Sequence, residues 1–291
     1  MDINYELYKV FYYVATTLSF SEASRQLFIS QSAVSQSIKV LEKKLGKPLF
    51  LRSTKKVQLT PEGELLLRHV EPAMNLIMRG ESQLLDMDQA NSGQLRIGAS
   101  DTICRYFLIP YLNRYHREHP NIHIKVTNAT SIECVDLLEN GQVDIIVINA
   151  PNSRLSGRTA TKPVTSFNDV FVANKHFFDL ENRELSLREL QKYPILMLNR
   201  KSTTSEYLHQ LFQQHQLDLI PEIELSSNDL LLDLAGIGLG IAFVPDFVVN
   251  DNNSDLFILN IREALPSRHL VLAYSNQLPM TPATAEFVKY F

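Results

Sequence analysis

The sequence predicts an α/β protein in three parts: a small helical head, one long connecting helix, and a body of two α/β lobes. Three observations lead there. Apolar residues recur at helical spacing through residues 5–45 and 61–87, whereas from about residue 93 short aliphatic runs alternate with helical stretches. Thr60-Pro61-Glu62 has the pattern of a helix start, with a cap, a proline at the first helical position and an acid in the first turn. Charge is uneven: of 28 lysines and arginines and 32 acids in 291 residues, nine bases and four acids lie in residues 1–60, leaving 19 bases against 28 acids. A basic head on an acidic body suggests that only the head meets a polyanion.

Composition bounds the function classes. With 45% hydrophobic and 21% charged residues the chain reads as globular. It contains no run of about 18 uncharged apolar residues, so no membrane span is expected. The opening "MDINYELYKVFYYVATTLSF" has no basic lead and its apolar residues come at helical spacing, unlike an export signal; a cytoplasmic protein is expected. Cys104 and Cys134 are the only cysteines, too few for a disulfide framework and without metal-ligand spacing. They read as structural thiols, with a redox pair as the sharper alternative.

In the head, Leu7, Val10, Phe11 and Val14 form the inner stripe of a first helix. Ser21 and Glu22 read as the cap and first turn of a second, ending near Leu27, with Ala23 and Leu27 inside. Ser30 caps a third, Ile29 and Val34 are placed as a hydrophobic staple, and Val34, Ile38, Leu41 and Leu45 run along its buried face to a stop at Gly46. That stripe turns Gln31, Ser32, Ser35, Gln36 and Lys39 outward. Short hydroxyls allow close approach, glutamine can pair bidentately with an adenine edge, and a helix start at Ser30 favours phosphate, so this face suits the major groove of DNA. On these residues alone a plain solvated face is an equal alternative. The flanks tip the balance. Pro48–Leu51 and Val57–Leu59 bracket a basic turn, Arg52-Ser53-Thr54-Lys55-Lys56, as a β-hairpin wing whose bases Arg52, Lys55 and Lys56 suit phosphates more than base edges.

The stretch "FSEASRQLFISQSAVSQSIKVLEKKLGKPLFLRSTKKVQLTPEG" resembles the winged helix-turn-helix of the LysR-type transcriptional regulators. Ala23, Leu27, Ser30, Gln31, Ala33, Val34, Ser35, Ile38, Leu41-Glu42, Leu45-Gly46, Leu49-Phe50, Arg52 and Thr60-Pro61-Glu62-Gly63 stand at matching positions. The position after Ser35, often arginine in the family, is Gln36 here, which implies a shifted base preference.

The helix from Pro61 to about residue 88 would be roughly 42 Å long, too long to pack only within its own chain. Leu66, Val70, Met74, Ile77 and Leu84 or Leu85 are a candidate seam for a second copy, as the resemblance also implies. A homodimer, or a homotetramer built from two, would present two recognition helices to a near-palindromic promoter site in double-stranded DNA. Pro72 and Gly80 interrupt the pattern, and Pro72 is expected to kink the helix. Asn91–Gly93 marks the boundary. The domains are thus 1–60, 61–90 and 91–291.

In the body, "QLRIGAS", "IHIKVTN" and "VDIIVIN" read as strands of one lobe, and "DVFVAN", "PILMLN", "EIELSS" and "GIAFVP" as strands of another; "HLVLAY" returns the chain to the first. Lobe I is expected at about 91–160 and 266–291, lobe II at about 161–265. The resemblance implies an effector domain similar to periplasmic solute-binding proteins, with a small molecule between the lobes. Ser100, Thr102, Thr127, Ser131, Ser202 and Thr203 follow strands and open helices, where hydroxyls and backbone N–H groups suit a small anion. Each is also an ordinary capping residue; Ser100, Thr102 and Thr203 match family positions that line the cleft. Asp101 fits a cationic part of a ligand or faces out.

"GIGLG" at Gly236–Gly240 follows a helix and precedes a strand, the reverse of a dinucleotide-binding turn. His116 and His119 lack a third metal ligand nearby. No catalytic arrangement, cofactor motif or metal set is present in the sequence. The expectation is an effector-responsive DNA-binding regulator, with a non-exported solute-binding module or enzyme as the competitor.

Overall fold

The computed structural model describes residues 3–52, 56–87, 93–249 and 255–291, with the backbone alone at Arg52, Ser82, Gln83, Leu85, Asp86 and Met87. It divides into two compact units: Met1–Asp88 with Asn140–Gln142, and Gln89–Glu139 with Val143–Phe291.

The first unit holds α1 (Tyr5–Thr17), α2 (Phe20–Leu27), α3 (Gln31–Leu45), a hairpin of β1 (Phe50–Arg52) and β2 (Val57–Leu59), and α4 (Pro61–Met87). Val10, Phe11 and Val14 of α1, Ala23 of α2, and Val34, Ile38 and Leu41 of α3 are buried in one core, with Leu7, Leu27 and Leu45 partly buried around it. The cap of α2 is Ser19, not Ser21: the Ser19 hydroxyl accepts from Glu22 N–H at 3.2 Å. Ser30 caps α3 by accepting from Ala33 N–H at 3.2 Å, and Gly46 closes it at φ 68°. The expected staple does not form. Phe28 takes a left-handed φ of 55°, Ile29 N–H returns to Ser24 C=O at 3.1 Å, and this closure of α2 leaves Ile29 41% exposed while Val34 is buried.

Two contacts fix the wing. The Glu42 carboxylate accepts from Leu49 N–H at 2.8 Å and Phe50 N–H at 3.3 Å, so α3 binds the start of β1. Thr60 is buried, donates to Pro48 C=O at 2.8 Å and accepts from Gly63 N–H at 3.0 Å. A Cβ on Gly63 would lie 2.2 Å from the Leu49 carbonyl oxygen, so wing and α4 meet backbone to backbone. Phe50 pairs with Leu59 and Arg52 with Val57.

α4 is a single 27-residue helix with Pro72 inside it. The expected seam is split. Leu66, Val70 and Met74 pack on the core of their own unit, while Leu65, Ile77 at 56% and Leu84 at 68% are exposed. The first half of the stripe is spent closing the head, because α1 lies against α4, with Tyr12 donating to Asn75 Oδ1 at 3.2 Å.

The second unit contains β3 (Gly93–Ala99), α5 (Asp101–Ile103) continuing through a π-turn (Cys104–Leu108) into α6 (Ile109–Glu118), β4 (Ile122–Asn128), α7 (Ser131–Glu139), β5 (Ile145–Ala150) and β6 (Thr159–Phe167). It continues with β7 (Asp169–Asn174), β8 (Glu184–Leu185), α8 (Leu187–Leu190), β9 (Ile195–Leu198), α9 (Thr203–Gln214), β10 (Ile223–Leu225), α10 (Asn228–Gly236) and β11 (Ile241–Pro245). β12 (Leu256–Ile258), β13 (Asn260–Ile261), β14 (Arg268–Ser275) and α11 (Pro282–Val288) complete it.

The strands form two five-stranded sheets with the same plan, β4-β3-β5-β14-β6 and β10-β9-β11-β7-β12, in each of which four strands run the same way and one, β14 or β7, runs against them. Ile145–Ile148 are all fully buried, since apolar clusters cover both faces of the first sheet. β6 carries lobe I to Phe167, beyond the crossing expected at residue 160. Pro163 sits on this edge strand at a register shift opposite Leu270/Val271, where a missing N–H is tolerated. The Gly236–Gly240 run is the helix-to-strand turn: Gly238 has φ 81° and a Cβ there would meet the Phe177 ring at 2.3 Å.

Gly63→Ala is expected to lower the stability of the N-terminal unit by about 1–3 kcal/mol, because backbone must yield to the new methyl. Equilibrium denaturation of the full chain, followed by a probe in residues 3–87, measures it; an unchanged midpoint would show that the wing contact carries no weight.

Candidate functional site

Two regions gather polar residues that the packing does not consume. The first is the solvent face of α3. Gln31, Ser32, Gln36 and Lys39 are exposed and Ser35 half-exposed, opposite the buried Val34, Ile38 and Leu41. The Ser30 and Ser32 hydroxyls lie 2.9 Å apart, and the Ser21 hydroxyl donates to Gln31 Oε1 at 3.3 Å, so the first turn of α3 is tied to α2. Lys56 is exposed beside the wing. Lys55 and the Arg52 side chain lie outside the described residues.

The second region is a cavity of about 230 Å³ between the two lobes. From lobe I it takes Ser100, Asp101 and Thr102 at the start of the α5–α6 run, Asn128–Ser131 after β4, and Asn149 of β5. From lobe II come Ser202–Thr204 at the start of α9, Ser226 and Asn228 before and in α10, Pro245 at the end of β11 and Phe247 after it. Of the six effector residues expected from the sequence, Ser100, Thr102, Ser131, Ser202 and Thr203 meet here. Thr127 does not: β4 runs on through Asn128, so Thr127 stays inside the strand opposite Gly98 and the cavity is reached by the residues that follow.

The hydrogen bonds at this cavity share one polarity. Ser100 Oγ accepts from Ile103 N–H at 3.3 Å, Ser131 Oγ from Asn149 N–H at 3.1 Å, and Ser202 Oγ from Ser205 N–H at 3.1 Å. Thr130 Oγ1 accepts from Glu133 N–H at 3.2 Å, while the Glu133 carboxylate accepts from Thr130 N–H at 3.0 Å and is thereby spent on the helix start. Thr102 Oγ1 accepts from Asn228 Nδ2 at 2.9 Å, across the lobes. Thr203 and Thr204 accept from the two terminal nitrogens of Arg268, each at 3.1 Å. A hydroxyl has one proton to give. Every one of these oxygens is engaged as an acceptor, and among the described residues no acceptor takes their protons.

Two further atoms are left over. Asn149 Oδ1 and Asn228 Oδ1 are buried without a hydrogen-bond partner. Asn149, Asn228 and Arg268 were not among the expected site residues; Asn228 directly follows the Ser227 cap, the one local signal that pointed to it. Next to the cavity the lobes also touch through Tyr106, whose hydroxyl donates to Asp229 at 2.5 Å, and Arg105, 3.4 Å from the same carboxylate. Burial and that carboxylate push the Tyr106 phenol up to about 12.

A more open groove of about 430 Å³ is lined by Ser153, Arg200, Ser205, Glu206, His209, Gln210 and Gln213. It opposes Arg200 with Glu206 and so presents no single charge. Among the described residues no group of three His, Cys, Asp or Glu is placed to hold a metal ion. No helix of the described residues is long and apolar enough to cross a membrane.

Comparison with known proteins gives a consistent picture. The description "Bacterial regulatory helix-turn-helix protein, lysR family" matches residues 5–64, and "LysR substrate binding domain" matches residues 88–291. The HTH-type transcriptional activator CmpR of Synechocystis is 24% identical over 288 residues, covering 97% of this chain and 93% of CmpR. Full-length CbnR, solved in complex with its target DNA, shares the fold with a TM-score of 0.68 at 18% identity, covering 99% of this chain and 98% of CbnR. The regulatory domain of CcmR from Synechocystis, solved with 2-PG, has a TM-score of 0.62 at 21% identity over 68% of this chain and 95% of that domain.

Burial pushes the Cys134 thiol up to about 12, and burial with Asp101 nearby also raises Cys104. Thiolate is the reactive form, so at pH 8 the native protein should react slowly with a disulfide reagent, with Cys134 labelled only after unfolding. Rapid labelling of Cys134 in the native state would overturn this.

Proposed function

The chain belongs to the LysR family of DNA-binding transcriptional regulators, and on that premise we propose that its cavity holds a small oxyanion whose binding controls operator contact by the head. One observation supports this reading above the others: seven hydroxyls from both lobes have oxygens that accept from the protein and protons that remain to be donated. The starts of α7, α9 and α10 add backbone donors and a favourable dipole for negative charge. The free carbonyl oxygens of Asn149 and Asn228 call for a donor elsewhere on the same ligand, as in a hydroxy acid. The solved CcmR domain holds 2-PG on the same fold.

In the head, Gln31, Ser32, Ser35 and Gln36 are assigned to base edges, and the capped start of α3 at Ser30, Lys39 and the wing bases Arg52, Lys55 and Lys56 to phosphates. The exposed Leu65, Ile77 and Leu84 of α4 are assigned to a second copy, giving a homodimer or homotetramer on a near-palindromic site. The regulator acts in the cytoplasm by binding and not by catalysis. Ligand shifts a population between lobe arrangements and so changes the presentation of paired heads.

Gln36→Ala should change the ranking of operator variants, whereas Lys55→Ala should weaken binding to all of them alike and flatten its salt dependence. Electrophoretic mobility shifts on a panel of single-base operator variants decide; a uniform loss for Gln36→Ala would remove it from base reading. Thr203→Ala should reduce the effector response about tenfold, the scale of one hydrogen bond to a charged group, with DNA affinity intact. An unchanged response would take Thr203 out of the site.

A further inference from the structure

Arg268 does not line the cavity, yet it organises part of it. It is the first residue of β14 in lobe I, immediately after the chain returns from lobe II, and its side chain is 2% exposed. Every hydrogen-bond partner of its guanidinium lies in lobe II. One terminal nitrogen donates to Asp169 Oδ2 at 2.7 Å and to Thr204 Oγ1 at 3.1 Å; the other donates to Thr203 Oγ1 at 3.1 Å. Asp169 opens β7, just after the first crossing, and its side chain is fully buried. Phe167 from lobe I and Tyr207 from α9 flank the cation at 5.4 and 5.2 Å.

The pairing is not the one an isolated arginine and carboxylate would choose. Two parallel bonds give the strongest geometry, but here Arg268 Nε and Asp169 Oδ1 are both buried and without partners. A two-pronged pair would satisfy them, and would turn the guanidinium away from the threonines. Leaving two buried polar atoms unsatisfied costs free energy, so the threonine contacts hold the group in its present orientation. Asp169 compensates the burial of a cation close to the positive end of α9, where an arginine would otherwise be disfavoured.

We propose that Arg268 is a positioning residue for the effector: by donating to both threonine oxygens across the lobe boundary it biases Thr203 and Thr204 towards offering their protons to the ligand. The inference rests on the oxyanion reading of the cavity. With a cation behind them the two hydroxyls become stronger donors, and an anion in front strengthens the bonds to Arg268 in turn, because linked hydrogen bonds polarise one another. Occupancy is therefore felt where the chain crosses between lobes. A neutral ligand gains much less from the same arrangement.

The test compares malonate and inorganic phosphate with the uncharged malonamide, titrated calorimetrically into the full-length protein. The native chain should prefer malonate to malonamide by at least about tenfold, the scale of one hydrogen bond to a charged group. In the paired variant Arg268→Gln with Asp169→Asn, which removes both charges at similar shape, the preference should fall towards unity while malonamide binding stays within about twofold. Arg268→Lys keeps the charge but replaces the rigid fork by a single ammonium, and should lose most of the preference as well; it decides the matter if the paired variant does not fold. Retention of the native preference by either folded variant overturns the role of Arg268. If neither malonate nor phosphate binds the native protein better than malonamide, it is the oxyanion reading itself that fails.

Discussion

The effector domain depends on one constraint: helical segments from two separate sheets must begin at a single cavity with their hydroxyl protons unspent. The sheets achieve this by sharing a strand plan, so that α7 and the α5–α6 run in lobe I face α9 and α10 in lobe II. Capping does the rest. An N-cap hydroxyl accepts from its own helix, which occupies one of its two lone pairs and leaves its proton to be donated. Ser100 and Ser202 are in this position through their own first turns, and Thr102, Thr203 and Thr204 through bonds from the opposite lobe. The same bonds that fix the lobes against each other thereby set the chemistry of the space between them.

The head follows a different logic, in which several residues that look like a binding signature are structural. Glu42 holds the wing strand, Thr60 joins the wing to α4, and Gly63 is a glycine because the Leu49 carbonyl leaves no room for a side chain. What remains free on α3 is a short strip from Gln31 to Lys39. Separating these roles narrows the residues to which base preference can be assigned, and Gln36 is exposed on that strip.

Local pattern made much of this legible. The stripe of α3, the Ser30 cap and the Gly46 stop are all encoded within seventeen residues, and β4 and β7 each end on the asparagine that closes their apolar runs. The failures have physical reasons. β6 was not among the strands expected: it carries Pro163, which a strand tolerates at a sheet edge, and the edge is known only from the sheet order. The apolar stripe of α4 could not reveal that Leu66, Val70 and Met74 serve the head and Ile77 and Leu84 do not. Thr127 was expected after its strand, yet it lies within β4 opposite Gly98 and does not line the cavity. Arg268 and Asn228 were invisible for a stronger reason: their side-chain partners lie 64 to 126 residues away in sequence, and no periodicity reports such a contact.

The central claim is that an oxyanion between the lobes governs how the head meets DNA. Footprinting on the intergenic DNA beside the protein's own gene, with and without a panel of small phosphorylated and carboxylic acids and their uncharged amides, tests it most directly. The account predicts a footprint whose length or internal cleavage pattern changes with at least one acid and with none of the amides. A footprint that responds to the amides as it does to the acids, or to neither, would contradict it.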